Sequence, residues 1–401
     1  MSELTIFSSL LGLDSSWEVS GLDLALAENS VKIHVAHVGS ALCPVCKLAC
    51  PLHDHSDERV WRHLNTMQFA TLVYARVPRV NCSEHGVHQV DIPWAKAKSR
   101  FTLLFERFCI EVLLLVKCQS RTAKILGVSP GVVHSVMARA VKRGLARREQ
   151  SVISHLSFDE KSFQKGHVYA SVLCDVGSRR VLDVVLGRTH EAACELLKAL
   201  KHKQEVKTVS MDMAPGYIKA AKQELPKARI VFDRFHVSMT LGKAVDETRR
   251  RECKSNPGLK ETRYLWLTNP QNLTESQSSK FEAAFKIARK TGLAYSFKEL
   301  FKQLYDCKTE RAGKTWFNNW EAEVLKTDLT PMKKAMKTIK NHLDGVLAYI
   351  STKQTNGYAE CINSLIQEIK TIARGFRKFE GFKNAILFFL GKLDLNPRKS
   401  V

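Results

Sequence analysis

Two residue groups in this 401-residue sequence have types and spacing suited to chemistry. The first is a pair of knuckles, Cys43-Pro44-Val45-Cys46 and Cys82-Ser83-Glu84-His85. Zinc takes four sulfur or imidazole ligands in a tetrahedron, and two turns carrying two ligands each supply that set. The spacing therefore predicts zinc at Cys43, Cys46, Cys82 and His85, with Cys50, His53, His55 and His63 as alternative ligands. The second group is acidic. Asp159 closes a strand predicted over 151–158, and Asp212 closes one over 206–211, just ahead of Pro215. A strand end holds a carboxylate rigidly yet leaves it open to substrate. Glu360 lies on a helix predicted over 355–374, in a polar stripe with Asn356, Asn363, Gln367 and Lys370. Acids that converge repel one another unless a divalent cation joins them, and two Mg²⁺ ions held so can drive phosphoryl transfer. On spacing alone Asp175, Asp183, Asp233 and Glu368 compete for the same part.

The elements that must hold these residues change in texture along the chain. From 30 to 91 the Cys and His clusters are interleaved with short alternating stretches such as Thr71–Val77, a β-rich pattern. Helical spacing follows over 101–116 and again over 121–148. Strands are predicted at 151–158, 167–176, 180–186, 206–211 and 229–232, with helices at 191–202 and 217–225 between the later ones. That order is an α/β or mixed-sheet pattern. After His236 the chain turns helical and basic for about a hundred residues, a typical domain size.

Within 121–148, Gly127-Val128-Ser129 reads as a tight turn between two helices, with Ser129 as cap and Pro130 at the first helical position. Val132, Val133, Val136 and Ala140 form the expected buried stripe. His134, Ser135, Arg139 and Arg143 then face outward, where a helix-turn-helix meets the DNA major groove, and Lys142 continues the cationic surface. Net charge supports a polyanionic partner, since 62 Lys and Arg against 40 Asp and Glu leave +22. No apolar run reaches the roughly 18 residues of a membrane span, and the N-terminus lacks a secretory pattern, so a cytoplasmic protein is expected. Eleven scattered cysteines fit thiols and a metal better than disulfides.

These motifs, in this order, resemble the bacterial insertion-sequence transposases of the ISL3 family. The likeness is carried by Cys43-Pro44-Val45-Cys46 with Cys82, Phe158-Asp159-Glu160-Lys161, Gly166-His167-Val168-Tyr169 and Val209-Ser210-Met211-Asp212-Met213. It continues through Val231-Phe232-Asp233-Arg234-Phe235-His236-Val237, Thr355-Asn356-Gly357-Tyr358-Ala359-Glu360 and Gly375-Phe376 with Phe379 and Phe382. The resemblance implies a multidomain chain: an N-terminal zinc-binding β-rich domain (1–95), a helical helix-turn-helix domain (96–150), and an α/β ribonuclease-H-like catalytic core. The core would run over 151–252 and 350–401, with an α-helical insertion at 253–349. It makes Asp159, Asp212 and Glu360 a DDE set for Mg²⁺ or Mn²⁺, with Asp233 and His236 lining the site. Cys361 departs from the family pattern, which places Gly after the glutamate. The implied activity is binding of an element's terminal inverted repeats in double-stranded DNA, followed by cleavage and strand transfer, by at least a homodimer. Two other functions fit the same residues: a DNA-binding regulator that has lost chemistry, and a metal-dependent nuclease that cuts without joining.

Overall fold

The computed structural model describes residues 3–149, 151–164, 166, 168–354 and 357–397. His167, Thr355 and Asn356 of the motifs above lie outside the described residues. By packing, the chain divides into two units, Met1–Arg148 with Leu393–Val401, and Glu149–Lys392.

The first unit opens with α1 (Glu3–Leu11), followed by β1 (Trp17–Ala25), β2 (Ser30–His37), β3 (Leu52–His55), β4 (Arg59–Arg62), β5 (Ala70–Ala75), β6 (Pro78–Cys82) and β7 (Gly86–Gln89). These strands make two sheets, ordered β1-β2-β5-β4 and β3-β6-β7. Alternating burial along β5 and β6 puts Val73, Ala75 and Val80 inward, onto edge-to-face rings of Trp17, Trp61 and Trp94. The helix at the N-terminus and the strand β1 carry no marked sequence signal and are additions to the expected pattern.

Three helices complete this unit: α2 (Leu103–Val116), α3 (Gln119–Leu126) and α4 (Pro130–Arg147). The expected boundary at 95 does not separate two bodies. Thr102 donates its backbone N–H to the Arg62 carbonyl, Leu103 donates to that of Trp94, and the Thr102 hydroxyl meets His63 Nδ1 at 2.9 Å. Gly127 ends α3 in the left-handed conformation, as the turn requires. Ser129 occupies the cap position of α4, but its side chain makes no cap hydrogen bond. The buried stripe is Val133, Val136, Met137, Ala140 and Val141, whereas Val132 is only half-buried.

The end of the chain belongs to this unit, not to the core as the sequence pattern implied. A Cβ on Gly144 would stand 2.6 Å from Leu393 Cβ, so only glycine lets the tail cross α4 here. Arg143 donates to the Leu395 carbonyl at 2.6 Å, and Arg147 to that of Asn396 at 2.7 Å. Beneath them Glu106, 3% exposed, accepts from Arg139 at 2.8 Å and from Arg143 at 3.0 Å. Removing one member of a buried charge cluster strands the others. Glu106→Ala is therefore expected to cost about 3–5 kcal/mol of stability, read as an earlier urea midpoint for this unit with the second unit unchanged.

The second unit is built on β8 (His155–Gln164), β9 (Val168–Asp175), β10 (Arg180–Leu186), α5 (His190–Lys198), β11 (Thr208–Met211), α6 (Pro215–Glu224) and β12 (Arg229–Phe232). The sheet order is β10-β9-β8-β11-β12; β9 runs antiparallel to both its neighbours β10 and β8, while β8, β11 and β12 are parallel. Every residue of β11 is buried, as expected for a parallel strand covered on both faces. Then come α7 (Arg234–Glu252), α8 (Arg263–Leu267), α9 (Glu275–Ile287), α10 (Arg289–Phe301), α11 (Glu310–Leu325), α12 (Thr330–Asn341) and α13 (Leu343–Thr352). They are not a detached insertion: one continuous hydrophobic core runs from Leu156 and Phe158 through Trp266, Phe301 and Trp320 to Ile350. Two helices close the unit, α14 (Gly357–Ile372) and α15 (Phe379–Leu390). The second was not expected, since 355–374 had read as the last helix. Phe382 of α15 packs against Phe163 of β8 and Phe376, joining the chain's late aromatics to the sheet. Among the described residues no helix is long and apolar enough to cross a membrane.

Candidate active site and zinc centre

The zinc ligands come from two backbone turns. Cys43 and Cys46 lie on a knuckle closed by the Cys43 N–H to the Leu48 carbonyl and the Lys47 N–H to that of Cys43. Cys82 ends β6 and His85 sits in the turn to β7, which Gly86 permits with φ +75°. Cys46 Sγ and Cys82 Sγ are 3.7 Å apart, Cys82 Sγ and His85 Nδ1 3.4 Å, and Cys43 Sγ and His85 Nδ1 3.9 Å. Zn–S bonds of about 2.3 Å at a tetrahedral centre separate sulfurs by about 3.8 Å, so the four atoms, all within 4.8 Å of one another, are spaced like the corners of a zinc tetrahedron. Hydrogen bonding from His85 and neighbouring backbone brings the Cys82 thiol down to about 6, favouring the thiolate that binds metal. Of the alternatives, His63 is buried against Thr102, with burial pushing it down to about 4, and His53 leans on Asp54; Cys50 lies beside the group but donates its thiol to the Leu48 carbonyl at 3.5 Å. Among the described residues this is the one group with three or more ligand atoms within 4.8 Å of each other.

The aspartates gather through strand register. Ser157 pairs with Ser210, and Ser210 with Val231, across β8, β11 and β12. Two residues further along stand Asp159 within β8, Asp212 just past β11 and Asp233 just past β12, on neighbouring stretches of chain whose strands lie roughly 4.8 Å apart. Asp159 does not close its strand, contrary to the expectation of a strand ending at 158. β8 continues to Gln164 because β9 pairs with it throughout, but the pairing with β11 ends at Ser157, so Asp159 still stands at the open end of the parallel ladder. Asp212 directly follows β11 and accepts the Ala214 N–H. Asp233, 6% exposed, caps α7 by accepting the Phe235 N–H; its other oxygen is buried without a partner, 4.0 Å from His236 Nε2. Burial pushes the Asp159 carboxyl up to about 6, and Asp212 and Asp233 push the same way. Burial likewise raises Asp233. Carboxylate oxygens are the donor type a hard divalent cation such as Mg²⁺ takes, although among the described residues these acids do not bring three ligand atoms within 4.8 Å of one another.

Glu360 is exposed on α14, and Ile362, Ile366 and Ile369 bury the opposite face, with Leu365 half-buried beside them. Its polar stripe is turned toward β8 rather than wholly to solvent. Asn363 donates to Asp159 Oδ2 at 2.7 Å, and Lys370 to the Ser162 carbonyl. Glu360 lies one turn before Asn363 on the same helix, with its side chain exposed. Cys361 is exposed, so the departure after the glutamate leaves the helix packing alone. Two rival acids have other duties: Asp175 holds the β9–β10 turn through Gly177 N and Ser178 N, and Asp183 pairs with Lys383. Asn363 was named only as part of a stripe; its position one turn from Glu360 was the available signal.

On α4, His134, Ser135 and Lys142 are exposed. Arg143 is not outward-facing as expected, being 16% exposed and committed to Glu106 and the tail, and Arg139 is half-committed to the same carboxylate. A buried acid underneath draws cations inward against the helical periodicity.

A transposase family model matches residues 156–386, more than half of the chain. The chain belongs to the ISL3 family of transposases. A second model, described as the zinc-finger of transposases IS204, IS1001, IS1096 and IS1165, matches residues 40–85 and so encloses all four zinc ligands. The transposase for insertion sequence element IS1001 of Bordetella parapertussis is 25% identical, over 85% of this chain and 86% of the relative. That for IS1557 of Mycobacterium tuberculosis is 25% identical over 94% and 93%. The transposase match starts in β8 and ends in α15, so it takes in Asp159, Asp212, Asp233 and Glu360 together with the helical segment between them.

Proposed function

We propose that this transposase binds the terminal inverted repeats of an insertion sequence and carries out metal-dependent cleavage and strand transfer on them, with Asp159, Asp212 and Glu360 as its catalytic acids. The observation that carries this is the placement of Asp159, Asp212 and Asp233 just past the paired part of the β8-β11-β12 parallel ladder, with α14 anchored to Asp159. The sheet order, three antiparallel strands followed by two parallel ones, supports a ribonuclease-H-like core. Asp159 and Asp212 would hold Mg²⁺ or Mn²⁺ with Glu360, and Asp233 stands beside them with its free oxygen. When bound, the ions supply Lewis acidity to the attacking and leaving oxygens of a phosphodiester. The chain's own part is positional: Asn363 orients Asp159, the Ala214 N–H orients Asp212, and His236 faces the free oxygen of Asp233.

Sequence reading is assigned to α3 and α4 as a helix-turn-helix, with the zinc domain beside it and at least a homodimer joining two ends. His134→Ala with Ser135→Ala should erode discrimination between repeat and random DNA, whereas Lys142→Ala should weaken both alike, as a phosphate contact does. Fluorescence anisotropy on the two DNAs checks this, and equal losses from all three would remove α4 from base reading. The decisive assay for the whole function is purified protein with Mg²⁺ and repeat-ended DNA. Joined products support a transposase, free ends alone a nuclease, and binding without cutting a regulator.

A further inference from the structure

Most of the prominent cations of the second unit already serve an internal partner. Arg180 pairs with Asp175, Arg229 with Glu310, Arg249 with Asp246, and Arg234 lies over Tyr305 and Tyr349. Arg188 differs. Its guanidinium lies 4.4 Å over the Tyr169 ring and pairs with Glu160 Oε1 at 3.6 Å, yet its side chain stays 54% exposed, against 16% for Arg180 and 9% for Arg249. The backbone that presents it is fixed. Gly187, at φ +102°, donates its N–H to the Tyr169 carbonyl at 2.7 Å and accepts the Ser171 hydroxyl at 2.8 Å. A side chain at residue 187 would strain that turn, so the glycine sets where Arg188 emerges.

Position relative to the acids follows from strand alternation. Phe158 stacks on Tyr217 of α6, which places Phe158 and Glu160 on one face of β8; Asp159, bonded to Asn363 of α14, is on the other. Arg188 therefore stands on the lip opposite α14, with the open ends of β8, β11 and β12 between them. A rigid, stacked, half-exposed arginine beside a cluster of carboxylates has the geometry for an anion that the carboxylates alone would repel. We infer that Arg188 is a phosphate clamp, taking a backbone phosphate of the DNA strand next to the one placed at the Asp159–Asp212 pair. This rests on the proposed reading of the acids as the cleavage site. Tyr169 holds the guanidinium flat, and Glu160 limits its swing.

The test uses the full-length protein and repeat-ended duplexes in which single phosphates near the cleavage position are replaced, one at a time, by uncharged methylphosphonate. With wild-type protein, one replacement should weaken binding and slow cleavage by about 10–100-fold, the scale of a lost charge-assisted hydrogen bond. Arg188→Ala should produce the same loss on unmodified DNA, lower the salt slope of binding by about one, and be indifferent to that one replacement. Arg188→Lys should fall between, because it keeps the charge and loses the stacked fork. If Arg188 serves only to neutralise Glu160, Glu160→Gln in the Arg188→Ala background will restore binding; rescue overturns the inference, as does additivity of Arg188→Ala with every methylphosphonate. A wild-type protein that binds ends but never cuts would sink the cleavage reading alone, since the binding measurements still report on Arg188.

Discussion

Asp159→Asn and Asp212→Asn are each expected to lower cleavage and strand transfer by more than about 10²-fold, the scale on which removing a preorganised electrostatic group slows an enzyme, while binding to repeat ends persists. The same substitutions should not lower the melting temperature of metal-free protein. Asp159 is held where burial and two neighbouring carboxylates oppose its charge; the neutral amide relieves that opposition and can keep one of the two hydrogen bonds that Asp159 accepts, from the Glu160 N–H and from Asn363, which offsets loss of the other. Loss of activity with unchanged or higher stability is the signature of a site strained for function; lost activity with a lowered melting temperature would make Asp159 a structural residue. Asp233→Asn extends the comparison. Because one Asp233 oxygen is occupied by the helix cap and the other is free, an amide keeps the cap oxygen but weakens the second position as a cation ligand. Calorimetric titration with Mn²⁺ should show weaker binding in all three variants. Unaltered binding in Asp233→Asn would leave that residue as a helix cap only.

Cys82→Ser, or a strong chelator, is expected to remove about one zinc per chain and melt the part of the first unit around residues 40–92. Structural zinc sites contribute apparent free energies of about 10–16 kcal/mol at neutral pH, far more than a single side chain. Cys43 and Cys82 are also members of the apolar core that contains Trp17, Trp61 and Trp94, so loss of the ion reaches beyond the knuckles. Hydrogen exchange followed by peptide should rise sharply over β3, β6 and β7 and stay unchanged over β8 to β12. Full retention of protection in 40–92 after metal removal would mean that the tryptophan core alone holds this region.

Much of the site was legible in sequence because its signals are local. Two cysteines two residues apart mark a knuckle wherever they occur, and the order of strands and helices from His155 to Phe232 follows from alternation and helical spacing. Gly127 and Pro130 bracket a turn for stereochemical reasons that need no partner. Where pairing partners decide an element, reading faltered. The length of β8 depends on β9, so Asp159 was placed at a strand end that only the β11 pairing supplies. Arg143 follows helical periodicity outward, yet a buried glutamate thirty-odd residues earlier draws it in, while Arg139 reaches the same carboxylate and stays exposed.

By itself the sequence determined the kinds of chemistry available: a tetrahedral thiolate-imidazole site, acids suited to a hard cation, and a +22 surface suited to a polyanion. Composition and short spacing carry that information because ligand type and charge do not depend on the rest of the fold. Only the tertiary structure decided which acids meet. Asp159, Asp212 and Asp233 are separated by stretches of intervening chain and become neighbours through the register of three parallel strands, which is set by burial of β11 on both faces. It also decided that the last residues close the first unit, because Gly144 leaves room for Leu393 where any side chain would block it.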